Sequence, residues 1–236
     1  MKTYTIFISL FICISMYSQI RIDYTVESQV ETYRLKLKVN ITNLTNDYYL
    51  LPFDIKGFKG FYDSEYCGIY NDTDYPYKFF APIVMIKKEG DEDYIYPVSS
   101  MGHYDGEGSE KGIKELEKNA EKEKNEITEL KNKYSFNSYG DALKNYYITK
   151  NILPLKPHEK YSYEISLDLG GISRTNTSVL YDYYFLEFSK YNLSLHLCIT
   201  EDAYNWLTVD QKDKFKNYKF FIGTIKSNSF LFKAYK

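Results

Sequence analysis

The sequence lacks the short motifs that mark the most familiar catalytic and metal-binding centres. It contains no CxxC, HExxH or GxSxG spacing, and it has neither of the glycine-rich patterns GxxxxGK[ST] and GxGxxG. Motifs for dithiol redox chemistry, zinc proteolysis and nucleotide binding are therefore absent. The three histidines, His103, His158 and His196, are not spaced as a metal-binding pair. We predict no catalytic residue and no cofactor, and the sequence leans away from an enzyme without deciding the question.

Cysteine is scarce, with three residues in the chain. Cys13 follows the bulky Ile12, whereas the acylated cysteine of a lipoprotein follows a small residue. Cys67 and Cys198 remain, and a disulfide between them is chemically permitted in an exported protein. In LSLHLCIT, strict alternation places Cys198 on the face opposite the apolar leucines, which disfavours a bridge through the interior between two sheets. The sequence therefore leaves a Cys67–Cys198 disulfide open.

Only one apolar run is long, and it lies in the first eighteen residues, MKTYTIFISLFICISMYS. Lys2 precedes about nine apolar residues and small serines follow them, which is typical of a secretory signal peptide at 1–18. An uncleaved anchor is the alternative. We therefore expect a secreted or periplasmic mature chain at 19–236, with no transmembrane segment after signal removal. Its length suits one β-sandwich domain.

The chain has no excess of charge of either sign, with 30 Lys and Arg against 32 Asp and Glu. A nucleic-acid-binding surface needs a basic face, so no nucleic-acid partner is predicted. Tyrosine is abundant instead, with 27 residues. The abundance has two explanations, a genome rich in AT codons or a surface on which carbohydrate stacks.

Most of the chain alternates between apolar and polar residues with a period of two, which predicts half-buried strands. In YRLKLKVNIT the apolar face is Tyr33, Leu35, Leu37, Val39 and Ile41. QIRIDYTVES, KYSYEISLDL and LSLHLCIT alternate in the same way, and FFAPIVMIKK and YIYPVSS flank an acidic turn as a predicted hairpin. About eight short strands without βαβ alternation predict a mainly β, antiparallel sandwich.

The order of these segments resembles that of secreted bacterial immunoglobulin-like β-sandwich proteins. LPLKPHEKYSYEISLDL is similar to their proline, turn and strand passage, and GTIKSNSFLF is similar to their last strand. The resemblance covers residues 20–103 and 143–236 and implies an immunoglobulin-like sandwich. The Cys-Trp-Cys order of antibody domains is missing, because Trp206 follows Cys198. Thr208 and Gln211 have the spacing of a capping box, which predicts a short helix to about Tyr218 before the last strand.

One segment, at about 107–134, lacks the two-residue alternation, and its pattern predicts a charged helical insertion. Its apolar residues recur at steps of three and four, with Glu123 in the gap; they are Ile113, Leu116, Ala120, Ile127, Leu130 and Tyr134. This apolar stripe is narrow, and charged residues cover the remaining surface of the predicted helix. Three interpretations follow: an insertion resting on its own domain, a self-association or partner-binding arm formed by Ile113, Leu116, Ala120, Ile127 and Leu130, or a partly frayed loop.

Two acidic clusters are candidates for a calcium site. Asp72 and Asp74 lie in NDTDYPY, and Asp91 and Asp93 lie in GDEDY. Calcium binds several converging oxygen ligands, and two loops of a β-domain can supply them. Solvated turns are the alternative, and the EF-hand spacing is absent.

These observations favour a non-catalytic binding or interaction module of the cell envelope. Its partner is expected to be a protein or glycan of the envelope, which the sequence does not identify. The first alternative is an extracellular hydrolase with an acidic site. The second is an enzyme inhibitor or immunity-type protein that blocks its target with a loop or with the helix, since some immunoglobulin-like domains are similar to protease inhibitors.

Overall fold

The structure of the chain, a computed structural model, describes residues 19–31, 33–63, 66–67, 78–102, 109–175 and 179–234. Strands make up 41% of it and helices 25%, so the fold is mixed, with strands predominating. The strands are β1 (Ile20–Glu31), β2 (Arg34–Asn43), β3 (Tyr49–Pro52), β4 (Ile83–Lys88), β5 (Val98–Met101), β6 (Ile152–Leu155), β7 (Lys160–Asp168), β8 (Ile172–Ser173), β9 (Leu180–Tyr183), β10 (Lys190–Ile199), β11 (Lys219–Phe220) and β12 (Gly223–Lys233). The helices are α1 (Ser109–Tyr134), α2 (Tyr139–Lys150), α3 (Asp202–Asn205) and α4 (Val209–Lys214).

The first sheet is antiparallel, with the strand order β1-β2-β7. Its strands alternate between apolar and polar residues, and in β2 the alternation becomes burial on one face only. Leu35, Leu37 and Val39 are buried, whereas Lys36 and Lys38 are exposed. The half-buried strands predicted from the period of two are therefore confirmed here.

The second sheet is antiparallel, with the strand order β12-β10-β4. The core face of β10 consists of four apolar side chains: Leu193, Leu195, Leu197 and Ile199. β4 is buried on both faces. Val84 and Ile86 join the main core, whereas Ile83 and Met85 join a smaller apolar cluster on the opposite side. Because Ile83 and Met85 are buried on the outer face of this sheet, another part of the chain must cover that face.

A bulge in β12 joins the edges of the two sheets. β12 is one bulged strand, and its bulge lies opposite Ser194–His196. The amide of Asn228 in the bulge accepts from the N–H of Tyr24 in β1 at 2.8 Å and donates to the carbonyl of Tyr24 at 2.9 Å. One side chain thus makes the two hydrogen bonds that a neighbouring strand would make. The main core extends across both sheets.

Two smaller sheets complete the strand structure, with the orders β11-β3-β6 and β5-β9-β8. β11 runs parallel to β3, and the other pairs in these sheets are antiparallel. The described strands therefore form four sheets of three strands, not two continuous facing sheets. A strand-rich fold with helices is established, and the immunoglobulin-like arrangement stays a prediction.

The helical insertion is present as α1 and is followed by a second helix, α2, that the sequence did not predict. Ser135 adopts a left-handed conformation, with φ of 54°, and reverses the chain between the two helices. α2 begins at the cap residue Ser138, whose hydroxyl accepts from the N–H of Asp141. Ile127 of α1 packs with Leu143 and Tyr147 of α2 in a small apolar cluster.

The short helix before the last strand is confirmed as α4, with its capping box. The hydroxyl of Thr208 accepts from the N–H of Gln211 at 3.3 Å, and the side chain of Gln211 accepts from the N–H of Thr208 at 2.8 Å. The helix ends at Lys214 and not near Tyr218, because Phe215 leaves helical geometry with φ of −107°. None of the described helices combines the length and the apolar character that crossing a membrane requires.

Candidate functional site

The outer face of β10 carries Ser194, His196 and Cys198, as the alternation of LSLHLCIT predicted. His196 is nevertheless only 4% exposed, so another part of the chain covers it. Cys198 forms a disulfide with Cys67, with their Cα atoms 5.2 Å apart. The bridge does not pass through the core between sheets. It ties a covering segment, which precedes β4 in the chain, to the outer face of the second sheet.

Phe61 lies at the centre of this cover. Its ring stacks on Tyr96 at a centroid distance of 5.4 Å and an angle of 17°. Tyr94 and Tyr66 approach the same ring edge-on, at 5.2 and 6.1 Å. The backbone N–H of Phe61 donates to the hydroxyl of Tyr184 at 3.0 Å, and this hydroxyl donates in turn to the carbonyl of Val84 in β4. The cover is therefore held by the main chain as well as by the disulfide.

A cleft of about 310 Å³ opens between the cover and the sheet. We name it the aromatic cleft and define it by its lining residues, Phe61, Asp63, Tyr66, Met85, Tyr94, His196 and Lys226. Three aromatic rings, one thioether and one imidazole form most of its wall, while Asp63 and Lys226 contribute the charged groups. A mostly apolar wall with a few polar groups is the usual construction of a small-ligand site.

His196 is held by hydrogen bonds at both ring nitrogens. Nδ1 lies 3.0 Å from the hydroxyl of Tyr66, and Nε2 lies 3.1 Å from the hydroxyl of Ser194. Burial, and then the positive charge of Lys226, lower the pKa of His196 from 6.5 to about 4. The imidazole is therefore neutral near pH 7, where it serves as a polar part of the wall and has no nitrogen left free for proton transfer.

The rim of the aromatic cleft is shaped by the acidic turn after β4. The predicted hairpin is reduced here to a single antiparallel bridge between Lys87 and Tyr94, because β4 pairs with β10 and β5 pairs with β9 in another sheet. The Lys87 ammonium lies 4.3 Å from the centre of the Tyr94 ring. The hydroxyl of Tyr96 donates to the carboxylate of Asp63, which raises the pKa of Tyr96. At the rim, Lys87 and Asp63 are thus each paired with a tyrosine, Tyr94 and Tyr96 respectively.

The predicted calcium ligands are divided between described and undescribed residues. Asp91 and Asp93 are exposed in the turn after β4, whereas Asp72 and Asp74 lie outside the described residues. Over the ranges that the structure covers, no three His, Cys, Asp or Glu side chains come together as a metal site. His158 is exposed in its turn and pairs with Asn46 at 2.8 Å.

The predicted interaction stripe of α1 divides into two halves. Ile127 is buried at 1% exposure against α2, and Leu130 beside it is half-buried. Ile113 is 37% exposed, and Leu116 and Ala120 are half-buried. The structure thus joins the C-terminal half of the stripe to α2 and leaves the N-terminal half largely in contact with solvent.

The gap in the stripe at Glu123 has a structural reason. The carboxylate of Glu123 accepts from the hydroxyl of Tyr147 in α2 at 2.8 Å. In the next turn, Glu126 accepts from Tyr146 at 2.9 Å and pairs with Lys150 at 2.6 Å. The last turn of α2 is therefore level with Glu123 and Glu126. Residues 109–122 extend about 21 Å beyond it, at 1.5 Å per residue.

Sequence reasoning missed the residues that form the aromatic cleft. Tyr66 and Tyr94 were counted only as part of the general abundance of tyrosine, and Phe61 was not singled out. One signal was present, because Cys198 and His196 share an outward face and Cys67 lies in an aromatic stretch, GFYDSEYCGIY. A disulfide between them requires that stretch to lie over that face.

The chain was also compared with protein-family models, with curated proteins and with solved structures. No match was found in any of the three comparisons.

Proposed function

We propose that this protein is a secreted or periplasmic, non-catalytic binding module of the cell envelope. Its ligand contributes one ring-sized apolar or aromatic group to the aromatic cleft. The observation that carries the proposal is the cleft itself, a preformed space of about 310 Å³ with Phe61, Tyr66 and Tyr94 in its wall. This volume is at the lower end of the range for small-ligand pockets, so one ring fits it better than an extended molecule.

The chemistry of the cleft favours binding over turnover. A general base needs a free nitrogen or oxygen within hydrogen-bond reach of its substrate. Both nitrogens of His196 are engaged by Tyr66 and Ser194, and the carboxylate of Asp63 is engaged by Tyr96. An acidic hydrolase would need a second carboxylate, and Asp63 is the one carboxylate among the lining residues that the structure describes.

The disulfide supports the proposed location. Disulfides persist in oxidising compartments and are rare in the cytosol. The Cys67–Cys198 bridge holds the cover of the cleft, so the binding site and the compartment are linked in this proposal. An immunoglobulin-like sandwich is part of the proposal, and the shared core of the two larger sheets supports it.

Methionine methyl groups provide a direct test. Met85 lines the cleft, whereas Met101 is 62% exposed on β5, away from the lining residues. We expect titration with N-acetyl-phenylalaninamide, N-acetyl-tyrosinamide and N-acetyl-leucinamide to shift the NMR signal of the Met85 methyl group, with the Met101 signal as internal control. Replacing Tyr94→Ala should weaken binding about fivefold or more, because loss of a ring-to-ring contact costs about 1 kcal/mol or more.

Tyr204→Ala is the matched control, because Tyr204 packs on Phe220 outside the cleft. If the Met85 signal does not move with any of the three probes, the cleft is not a site for such groups. A hydrolase would instead release product from envelope glycan or peptide substrates, and would lose activity on Asp63→Asn while the probe titrations stay negative.

One observation favours the inhibitor or immunity-type alternative. No residue from 110 to 122 is buried, so the first half of α1 projects from the α1–α2 pair. A blocking helix would have to project in this way. Deleting residues 110–122 should then abolish stoichiometric inhibition of a target enzyme and leave the Met85 titration intact, which separates this function from the cleft.

A further inference from the structure

A second cleft, also of about 310 Å³, lies beside the turn between α1 and α2. Its lining residues are Ser135, Phe136, Asn137, Asp141, Asn205 and Trp206. We name it the Trp206 cleft. It shares no residue with the aromatic cleft, and its wall is richer in amide, hydroxyl and carboxylate groups. The two clefts therefore suit different ligands.

Trp206, which forms one wall of the Trp206 cleft, is held in position by residues outside the cleft. The ring of Trp206 meets Phe79 and Phe80 at centroid distances of 5.8 Å each, at angles of 66° and 50°. The carbonyl of Trp206 accepts from the side chain of the buried Asn145 at 2.6 Å. Asn145 also exchanges two hydrogen bonds with the side chain of Gln211, at 2.7 and 3.2 Å. The position of the indole is thus determined before any ligand arrives.

The polar groups of this cleft are available to a ligand. Asn137 and Asn205 are exposed, and neither side chain has a hydrogen-bond partner among the residues that the structure describes. Each amide offers two donors and one acceptor. Asp141 bonds to the hydroxyl of Ser138 at 2.8 Å, which leaves acceptor positions on its carboxylate. Ser135 adds a hydroxyl on the left-handed turn.

We infer that the Trp206 cleft binds one neutral sugar residue of a glycan. A pyranose ring has an apolar C–H face, which the flat indole of Trp206 can cover. Its hydroxyl groups both donate and accept, and the amides of Asn137 and Asn205 do the same. The carboxylate of Asp141 accepts hydrogen bonds and repels anions, whereas the ammonium of Lys144, 5.6 Å from the centre of the Trp206 ring, attracts them; because these two charges offset each other, an uncharged sugar fits better than an acidic one. This site is independent of the function proposed for the aromatic cleft.

The experiment uses the intrinsic fluorescence of Trp206, which is the single tryptophan of the chain. With excitation at a wavelength that the 27 tyrosines do not absorb, the emission reports on the surroundings of this one ring. The probes are cellotriose, mannotriose and the trimer of N-acetylglucosamine, with trigalacturonic acid as an acidic comparison. We expect a saturable change in emission with at least one neutral trisaccharide. The double variant Asn137→Ala/Asn205→Ala should bind it at least about tenfold more weakly, since each lost hydrogen bond weakens binding by about fivefold.

Tyr94→Ala is the matched control and should titrate as the wild type does, because it alters only the aromatic cleft. Asn205→Ser is a milder second variant, and its affinity should fall between those of the wild type and the double variant. The inference is overturned if no neutral trisaccharide changes the emission of Trp206. It is equally overturned if the double variant binds as tightly as the wild type, or if the acidic trisaccharide binds best.

Discussion

His196 is a buried imidazole in surroundings that disfavour its charged form. Its pKa falls from 6.5 to about 4, first through burial and then through Lys226. The folded state therefore binds a proton less readily than the unfolded chain, so protonation favours unfolding. The stability that depends on neutral His196 is fully present above about pH 6.5 and is lost as the pH falls through about 4.

We predict a specific loss of stability in acid. Between pH 7 and about pH 4.5, linkage at His196 alone should lower the free energy of unfolding by about 2 kcal/mol. Urea unfolding at both pH values measures the loss, and His196→Gln should remove this part of it. His158→Asn is the control, because His158 is exposed. An equal loss of stability in His196→Gln and wild type would assign the acid sensitivity to other groups.

The sequence predicted the outward face of His196 but not its burial. The face of β10 on which a residue lies follows from the alternation of apolar and polar residues within that strand alone. The cover comes from Phe61 and Tyr66, which lie about 130 residues earlier in the chain. No local pattern encodes a contact over that separation, so the residues of the aromatic cleft could not be assembled from periodicity.

At the level of elements, α1 is easier to predict from its sequence than α2. α1 carries a clear stripe at steps of three and four, and its charges mark the solvent face. α2 has buried residues on most of its circumference, among them Gly140, Ala142, Asn145 and Tyr147. A helix that is buried nearly all round has no stripe to detect, which is why the sequence did not predict it.

Two positions on the stripe of α1 should differ sharply in their effect on stability. Ile127→Ala removes a fully buried side chain and should lower the free energy of unfolding by about 2–4 kcal/mol. Leu116→Ala alters a half-buried position beyond the end of α2 and should cost less than about 1 kcal/mol. Urea unfolding of the two variants measures both values. Equal costs would mean that the first half of α1 packs as tightly as the second.

For the whole molecule, the longer strands could be predicted from the sequence, whereas several short ones and the arrangement of them all could not: about eight strands were expected and the described residues contain twelve. The alternation in β1, β2, β7 and β10 follows from one apolar face turned to the main core, and the structure confirms it. Sheet order depends on pairings between distant strands, such as β2 with β7, and four small sheets replace the two continuous sheets expected. The disulfide adds a constraint that spans 131 residues.

Loss of this disulfide should destabilise the protein and open the aromatic cleft. A bridge that closes so long a loop contributes about 2–4 kcal/mol. We expect the Cys67→Ser/Cys198→Ser variant to unfold at lower urea concentration and its Met85 methyl signal to move toward that of the exposed Met101. Wild type treated with reductant should reproduce both changes. Unchanged Met85 chemical shifts would show that packing of Phe61 alone keeps the cover in place.

The contact between Asn228 and Tyr24 has a consequence for how the molecule moves. Elsewhere each sheet is held by a ladder of backbone bonds, but among the described residues these two edges meet through side-chain carboxamides, that of Asn228 on Tyr24 and that of Gln29 on the carbonyl of Lys233. Local opening of the native state should begin where the edges of β1 and β12 meet, because the fewest hydrogen bonds must break together there. Amide protons of β1 that face β12 are then expected to exchange with deuterium sooner than those that face β2.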